Sequence, residues 1–122
     1  MEKQVYITEE ERAKCKKVAE AFTELYEMAD IVVVDVGRYG FVMLKYYNPP
    51  HGFEDAITFT DSMVLFEELW EEWLNTKLYL LAKGTPLLEK GYKGVFESLS
   101  EEKQSELIVR KANFAKMAEI YL

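Results

Sequence analysis

The sequence predicts an α+β fold in which a small three-stranded antiparallel sheet is packed by three main helices, in the order α-β-β-β-α-(short turns)-α. Two observations lead to this prediction. Apolar residues recur at helical spacing in two long segments and in a C-terminal segment, while the part between the first two is rich in β-branched and aromatic residues. The length of 122 residues and the 49% of hydrophobic residues suffice for one domain, 1–122, with its own core.

The first helix is predicted to run from Thr8 to Ala29. Thr8 and Glu11 have the spacing of a capping box, in which each side chain satisfies the free backbone amide of the other residue. The apolar stripe of this helix consists of Cys15, Val18, Ala19, Phe22, Leu25, Tyr26 and Ala29. Because Cys15 lies within the stripe, we interpret it as a small core residue and not as a reactive thiol.

Three strands are predicted next, at 31–36, 41–47 and 56–59. Residues 37–40 suit a hairpin turn because glycine tolerates positive φ, and residues 48–52 contain two prolines and predict a rigid exposed loop. Both faces of the hairpin are apolar, and a change of one residue in the turn reverses its register, so the pairing stays open. Either register gives a sheet that needs cover on both faces, from the helices or partly from a partner chain.

A second long helix is predicted from Thr60 or Asp61 to about Ala82, with Gly84 as its stop. Its apolar stripe consists of Phe66, Leu69, Trp70, Trp73, Leu74, Leu80 and Leu81. We interpret the two tryptophans as core residues, since at helical spacing this is more common than a platform for bases or sugars. Lys77 falls within the stripe, and we expect its ammonium group to extend to solvent.

Short helical turns are predicted between residues 84 and 99, and Ser100 is expected to cap a final helix that runs to the C-terminus. The main stripe of this helix is predicted to be Leu107, Ile108, Ala112, Ala115, Ala118 and Leu122. Val109, Met117 and Ile120 fall on its far side. A helix that is apolar on two sides indicates a subunit interface.

The net charge of −7, without a segregated basic patch, disfavours nucleic acid and anionic membranes as partners. A single cysteine cannot form an internal disulfide, and the first residues do not resemble a signal peptide. The longest apolar run is far shorter than a membrane span. We therefore expect a cytoplasmic protein.

Few residue types suited to catalysis are present. The chain has one histidine, His51, and one cysteine, Cys15, and they are far apart in sequence, which disfavours zinc sites, redox pairs and Cys–His nucleophiles. The glycines at 37 and 40 do not form a phosphate-binding loop, and no Gly-x-Ser-x-Gly motif is present. We predict no catalytic, metal-binding or cofactor-binding residue, and the sequence leans away from an enzyme.

Three hypotheses for function remain. The first is a non-enzymatic module for protein interaction or self-association, for which a homo-oligomer is expected. The second is a small-ligand binder or enzyme with a pocket between the sheet and the tryptophan helix near His51, Asp61 and Tyr47. The third is an acidic mimic that binds a basic partner protein through glutamates such as Glu68 and Glu72. The candidate surface residues are Tyr39, Tyr47, His51, Asp61, Val109, Met117 and Ile120.

Overall fold

In the computed structural model, which describes residues 6–121, five α-helices accompany a three-stranded antiparallel sheet of order β1-β2-β3. The predicted α+β class and the predicted order of helices and strands are confirmed. The elements are α1 Glu9–Ala21, α2 Thr23–Met28, β1 Ile31–Asp35, a 3₁₀ turn Gly37–Tyr39, β2 Phe41–Asn48, β3 Gly52–Phe59, α3 Ser62–Ala82, a 3₁₀ helix Pro86–Lys90, α4 Gly91–Ser98 and α5 Glu101–Met117.

The predicted first helix is divided in two. α1 ends at Ala21, and the backbone of Phe22 leaves the helical region before α2 begins at Thr23. The hydroxyl of Tyr26 donates a hydrogen bond of 2.8 Å to the carbonyl of Ala19, one of the last carbonyls of α1. Phe22 at the break and Leu25 in α2 are both fully buried. One continuous helix from Thr8 to Ala29 was therefore the wrong prediction.

The sheet register, which the sequence left open, decides which side chains the helices cover. Residues at alternate positions of each strand point to the same face. The face toward the helices carries Ile31, Val33, Phe41, Met43, Ile57 and Phe59. The opposite face, here called the open face, carries Val32, Val34, Val42, Leu44, Ala56 and Thr58. Within residues 6–121 the helices cover only the first of these two faces.

The connection between β2 and β3 is shorter than predicted. Asn48 pairs with Gly52, so the turn consists of residues 49–51, and the amide of His51 donates to the carbonyl of Asn48 at 2.8 Å. β3 begins at Gly52 rather than at Ala56 because Phe53 pairs with β2 ahead of the predicted start. The two prolines thus restrict only the turn and do not interrupt the ladder.

α3 starts where the sequence predicts, with Asp61 as its N-cap. Its stripe differs from the prediction at the C-terminal end, where Leu78 and Ala82 are buried while Leu80 and Leu81 are about half exposed. Leu87 and Leu88 of the following 3₁₀ helix and residues of α4 pack against the core in this region. The side of α3 that carries Leu80 and Leu81 therefore stays open.

α5 is rotated relative to its predicted stripe. Leu107, Ala115 and Ala118 are buried as expected, but Ile108 is 58% exposed and Ala112 is also exposed. The large buried residue is Phe114, which the predicted stripe omitted. The stripe of α5 that faces the core, with spacings of three and four residues, consists of positions 107, 111, 114, 115 and 118. Leu122, the last residue of the predicted stripe, lies outside the described residues.

Aromatic rings from three helices form the centre of the core. The ring of Phe22 stacks on that of Phe114 with 4.5 Å between centroids, and Trp73 meets Phe114 edge-on at 5.3 Å. Trp70 stacks on Trp73 at 5.3 Å. These contacts confirm both tryptophans as core residues and join α1, α3 and α5 at one point.

The N-termini of α1 and α3 are tied together by Glu11. Thr8 caps α1 through a hydrogen bond from the amide of Glu11 at 3.1 Å, as predicted. The carboxylate of Glu11 does not close the capping box but accepts from the amide and the hydroxyl of Ser62, at 2.8 and 3.0 Å. The backbone hydrogen bond from Ser62, partly offset by burial, holds the pKa of Glu11 below its usual value.

Phe114→Ala is expected to lower the free energy of unfolding by about 3–5 kcal/mol, because it removes the ring at which three helices meet. Ile108→Ala, on the exposed side of the same helix, is expected to change it by about 0.5 kcal/mol or less. Urea denaturation followed by far-UV circular dichroism measures both. Equal losses for the two variants would contradict the observed rotation of α5.

Glu11→Gln is expected to be less stable than the wild type near neutral pH and to approach it in acid. A carboxylate whose folded-state pKa is depressed stabilises the protein above its unfolded-state pKa, and this contribution disappears as the pH falls through the folded-state pKa. Urea denaturation of both proteins from pH 7 to pH 3 provides the comparison. A difference independent of pH would show that the charge of Glu11 does not contribute.

Candidate functional site

The open face of the sheet is an apolar surface that no helix of residues 6–121 covers. Two cross-strand rows cross it: Val32, Leu44 and Ala56 form one, and Val34, Val42 and Thr58 form the other. Val32 and Val34 are 37% and 40% exposed, Val42 and Leu44 of the central strand are partly exposed, and Ala56 and Thr58 are exposed. Neither row contains a charged side chain, and the charge on this face is that of Glu54, two residues before Ala56 on β3 near the β2–β3 turn.

The covered face of the same sheet carries a buried charge. Lys45 of β2 is 8% exposed, and its ammonium group donates to Glu72 of α3 at 2.9 Å, with Asp55 at 3.9 Å. Burial acts to lower the pKa of Lys45, but the hydrogen bond and the attraction of Glu72 outweigh it and hold the pKa above its usual value. This pair fixes α3 across the central strand, so that the open face is supported by a rigid layer.

The two outer strands of the sheet have different edges. β3 carries Glu54 and Asp55 side by side and resembles the charged edges that keep strands from pairing with other chains. β1 carries only Asp35, which forms an ion pair with Arg12 of α1 at 2.7 Å. The amide of Gly37 donates to the same carboxylate and, ahead of Arg12, holds the pKa of Asp35 below its usual value.

Tyr39 and Tyr47, two of the predicted surface residues, lie near opposite ends of β2. Both side chains are about half exposed. The ring of Tyr39 meets that of Tyr6 edge-on with 4.8 Å between centroids, and the ring of Tyr47 meets that of Phe53 edge-on at 5.1 Å. Each tyrosine thus contacts one neighbouring ring, and the guanidinium of Arg38 also lies 5.8 Å from the centre of the Tyr39 ring.

His51 and Asp61 flank the two ends of β3, and that strand of eight residues separates them by roughly 26 Å. His51 is exposed in the turn before β3, near Tyr47. Asp61 acts as the N-cap of α3, accepting from the amides of Met63 and Val64 at 2.8 and 3.1 Å. The predicted convergence of His51, Asp61 and Tyr47 in one pocket does not occur.

The apolar residues predicted on the far side of α5 do not form one patch. Val109 and Met117 are 56% and 62% exposed, as a subunit interface requires. Ile120 lies beyond the end of α5 and packs partly buried against the core, with its amide donating to Ala115 at 2.8 Å. Its assignment to the exposed side was wrong because the helix ends at Met117 and helical spacing no longer applies there.

The acidic surface on which the third hypothesis depends is partly neutralised. Glu72 is bound to Lys45, Glu67 pairs with Lys111 at 3.2 Å, and Glu106 pairs with Lys103 at 3.3 Å. These pairs interrupt the row of free negative charges that such mimicry needs.

The side chains with catalytic potential are dispersed. Cys15 is fully buried, and burial, assisted by the nearby carboxylates of Glu11 and Asp61, raises the pKa of its thiol to about 11. A thiol with such a pKa is a poor nucleophile. Among residues 6–121, no three histidine, cysteine or carboxylate side chains are grouped as a metal site requires.

Comparisons with protein-family models, with curated proteins and with solved structures give no match. In the part of the chain that the structure describes, none of the helices combines the length and the apolar character needed to cross a membrane.

The sequence identified the residues of the open face as apolar strand positions, but it did not predict that they form an exposed surface. The set of Val32 and Val34 and the set of Ile31 and Val33 look alike in the sequence. Only the packing of the helices, seen in the burial of Ile31 and the exposure of Val32 and Val34, tells which set is covered. The buried Lys45 gave no signal of its own, since a lysine in an apolar strand most often reaches solvent.

A double-mutant cycle on Lys45 and Glu72 is expected to give a coupling free energy of about 1–3 kcal/mol, because either single change leaves a buried polar group without its partner. Lys45→Met and Glu72→Gln are the single variants, and urea denaturation provides the free energies. Lys14→Met and Glu10→Gln, an exposed pair at 3.2 Å, form the control cycle, with coupling of about 0.5 kcal/mol or less. Equal coupling in both cycles would contradict the role of Lys45.

Proposed function

We propose that this protein is a small non-enzymatic module that self-associates, with two copies packing the open faces of their sheets against each other. The observation that supports this proposal is the pair of uncharged cross-strand rows on the open face, which no helix of residues 6–121 covers. Sheets that pack face to face bury such rows between layers about 10 Å apart. The resulting assembly has four layers, with helices outside and two sheets inside.

A second copy suits this face because a two-fold contact uses the same patch on both partners. Val42 and Leu44 lie on the central strand and would meet near the symmetry axis. Val32 and Val34 of one copy would then lie toward the flanks of the other sheet. Branched aliphatic side chains interdigitate well in this arrangement, and no row has to bury a charge.

The distribution of charge supports the same contact. Each chain carries a net charge of −7, so two copies repel each other at most orientations. Repulsion is smallest when the contacting surface itself is uncharged and the acidic side chains remain at the rim and on the outer helices. The two rows of the open face meet this condition, with Glu54 at the end of the face near the β2–β3 turn, whereas the outer side of α3 carries several glutamates.

The size of the face sets the expected strength of association. Three strands give a surface roughly 15 Å wide and about 20 Å long, well below the ~800 Å² that each partner contributes to a typical stable interface. The loss of translational and rotational freedom offsets much of the gain from burying such a surface. We therefore propose a reversible dimer with a dissociation constant of about 1–100 μM.

The placement of the side chains that are able to take part in catalysis supports a module that performs no reaction of its own. Cys15 is buried and its thiol has a raised pKa, while His51 and Asp61 lie at opposite ends of β3. We also propose a cytoplasmic location, since a free buried cysteine suits a reducing compartment.

Val34→Lys tests the proposal, because it puts a charge into the contact while altering a side chain that is already 40% exposed. Val109→Lys, on the exposed side of α5, is the matched control. Sedimentation velocity from about 1 to 500 μM, a range that spans the proposed constant, is expected to show a rising molar mass for the wild type and for Val109→Lys. Val34→Lys is expected to remain a monomer throughout.

A wild-type chain that stays monomeric over the whole range would overturn the proposal. So would a dimer that survives Val34→Lys but is lost in Val109→Lys, since this result would move the interface to α5. Circular dichroism confirms that each variant is folded before its mass is interpreted.

A further inference from the structure

A groove with a volume of about 410 Å³ lies between the C-terminal half of α3 and the N-terminal half of α5. Each helix contributes four residues at the spacing of one helical face. These residues are Trp73, Lys77, Leu80 and Leu81 of α3, and Lys103, Glu106, Leu107 and Arg110 of α5. The volume is within the range of about 300–1,000 Å³ that is typical of small-molecule sites.

The floor and walls of the groove are apolar. Trp73 and Leu107 are buried at its base, and Leu80 and Leu81 leave 49% and 44% of their surfaces exposed along it. Two adjacent exposed leucines on one side of a helix present an apolar surface that water solvates poorly. A ligand that enters the groove can therefore bury apolar surface against α3.

The rim of the groove is positively charged. It carries Lys77, Lys103 and Arg110 against one carboxylate, Glu106, which pairs with Lys103 at 3.3 Å. Arg110 also forms an ion pair with Glu24, which in turn accepts a hydrogen bond from the indole of Trp73 at 2.8 Å. With Glu106 and Glu24 both counted, the groove keeps an excess of one positive charge, opposite in sign to the net charge of −7 of the chain.

Lys77 is the cation most available to a ligand. Its ammonium group lies 5.5 Å from the centre of the Trp73 ring, and its charge also acts on the nearby carboxylate of Glu24, which is paired with Arg110. The guanidinium of Arg110 lies on the same ring at 4.9 Å. The two cations thus stand beside the apolar floor, where an anionic head group and an apolar tail could be bound together.

We propose that this groove binds an amphipathic anion, a small molecule with a carboxylate or sulfonate head and an unbranched or aromatic apolar tail. The head lies at Lys77 and Lys103, and the tail lies along Leu80 and Leu81. This activity is separate from self-association, because the groove opens on the α5 side of α3 while the sheet packs on the side that carries Glu72.

Decanoate serves as the probe, and decyltrimethylammonium, which has the same tail and the opposite charge, is the matched comparison. Isothermal titration calorimetry is expected to show one decanoate per chain and binding of the cation weaker by about tenfold or more, since the rim repels a positive head. Failure of decanoate to bind, or equal affinities for both probes, would overturn the proposal.

Variants locate the site. Lys77→Gln combined with Lys103→Gln is expected to weaken decanoate binding by about tenfold, because it removes both cations assigned to the head group. Leu81→Gln is expected to weaken it by a similar factor. Lys116→Gln and Ile108→Gln, exposed on α5 away from the groove, should leave the affinity unchanged, and equal losses in these controls would contradict the assignment.

Val34→Lys separates this proposal from self-association. If decanoate binds in the groove, its affinity is unchanged in this variant, whatever happens to the molar mass. If Val34→Lys abolishes decanoate binding, the apolar tail is held by the open face of the sheet and the groove is not the site. Conversely, a strictly monomeric protein that still binds decanoate through Lys77 and Lys103 would overturn only the proposed dimer.

Discussion

The stack of Phe22 on Phe114, closed by Trp73, is the contact on which the arrangement of the helices depends. It joins α1, α3 and α5, which are far apart in sequence, and it places the largest rings of the protein where water is excluded. The polar end of Trp73 is satisfied by Glu24, so the indole loses no hydrogen bond on burial. With the orientation of α3 fixed in this way, one side of that helix meets the sheet and the other meets α5.

α3 consequently connects the two surfaces to which we assign binding. Glu72 on one side anchors the helix to Lys45 of the central strand, while the next residue, Trp73, forms the floor of the groove on the other side. Adjacent positions in a helix point about 100° apart, so a single turn of α3 serves both layers. The open face and the groove are thus independent surfaces that share one rigid support.

The sequence predicted the helices and strands well where their signals are local. Strand composition and the N-caps at Asp61 and Ser100 depend only on neighbouring residues. Features that depend on distant partners were not predictable. Phe22, where the helix breaks, stacks on Phe114, and Glu11 leaves the capping box because Ser62, 51 residues away, offers it two donors. The same holds for the candidate sites, since the open face and the groove both depend on how helices that are far apart in sequence pack.

An uncharged face on a strongly acidic chain makes association responsive to the medium. The attraction between two open faces comes from apolar surface and changes little with ionic strength, whereas the repulsion between two charges of −7 is screened over a Debye length of about 8 Å at physiological salt. Added salt therefore favours the assembled form, the reverse of the behaviour of complexes held by opposite charges. For the proposed dimer, dilute electrolyte therefore favours separate chains and a rising ion concentration favours pairing.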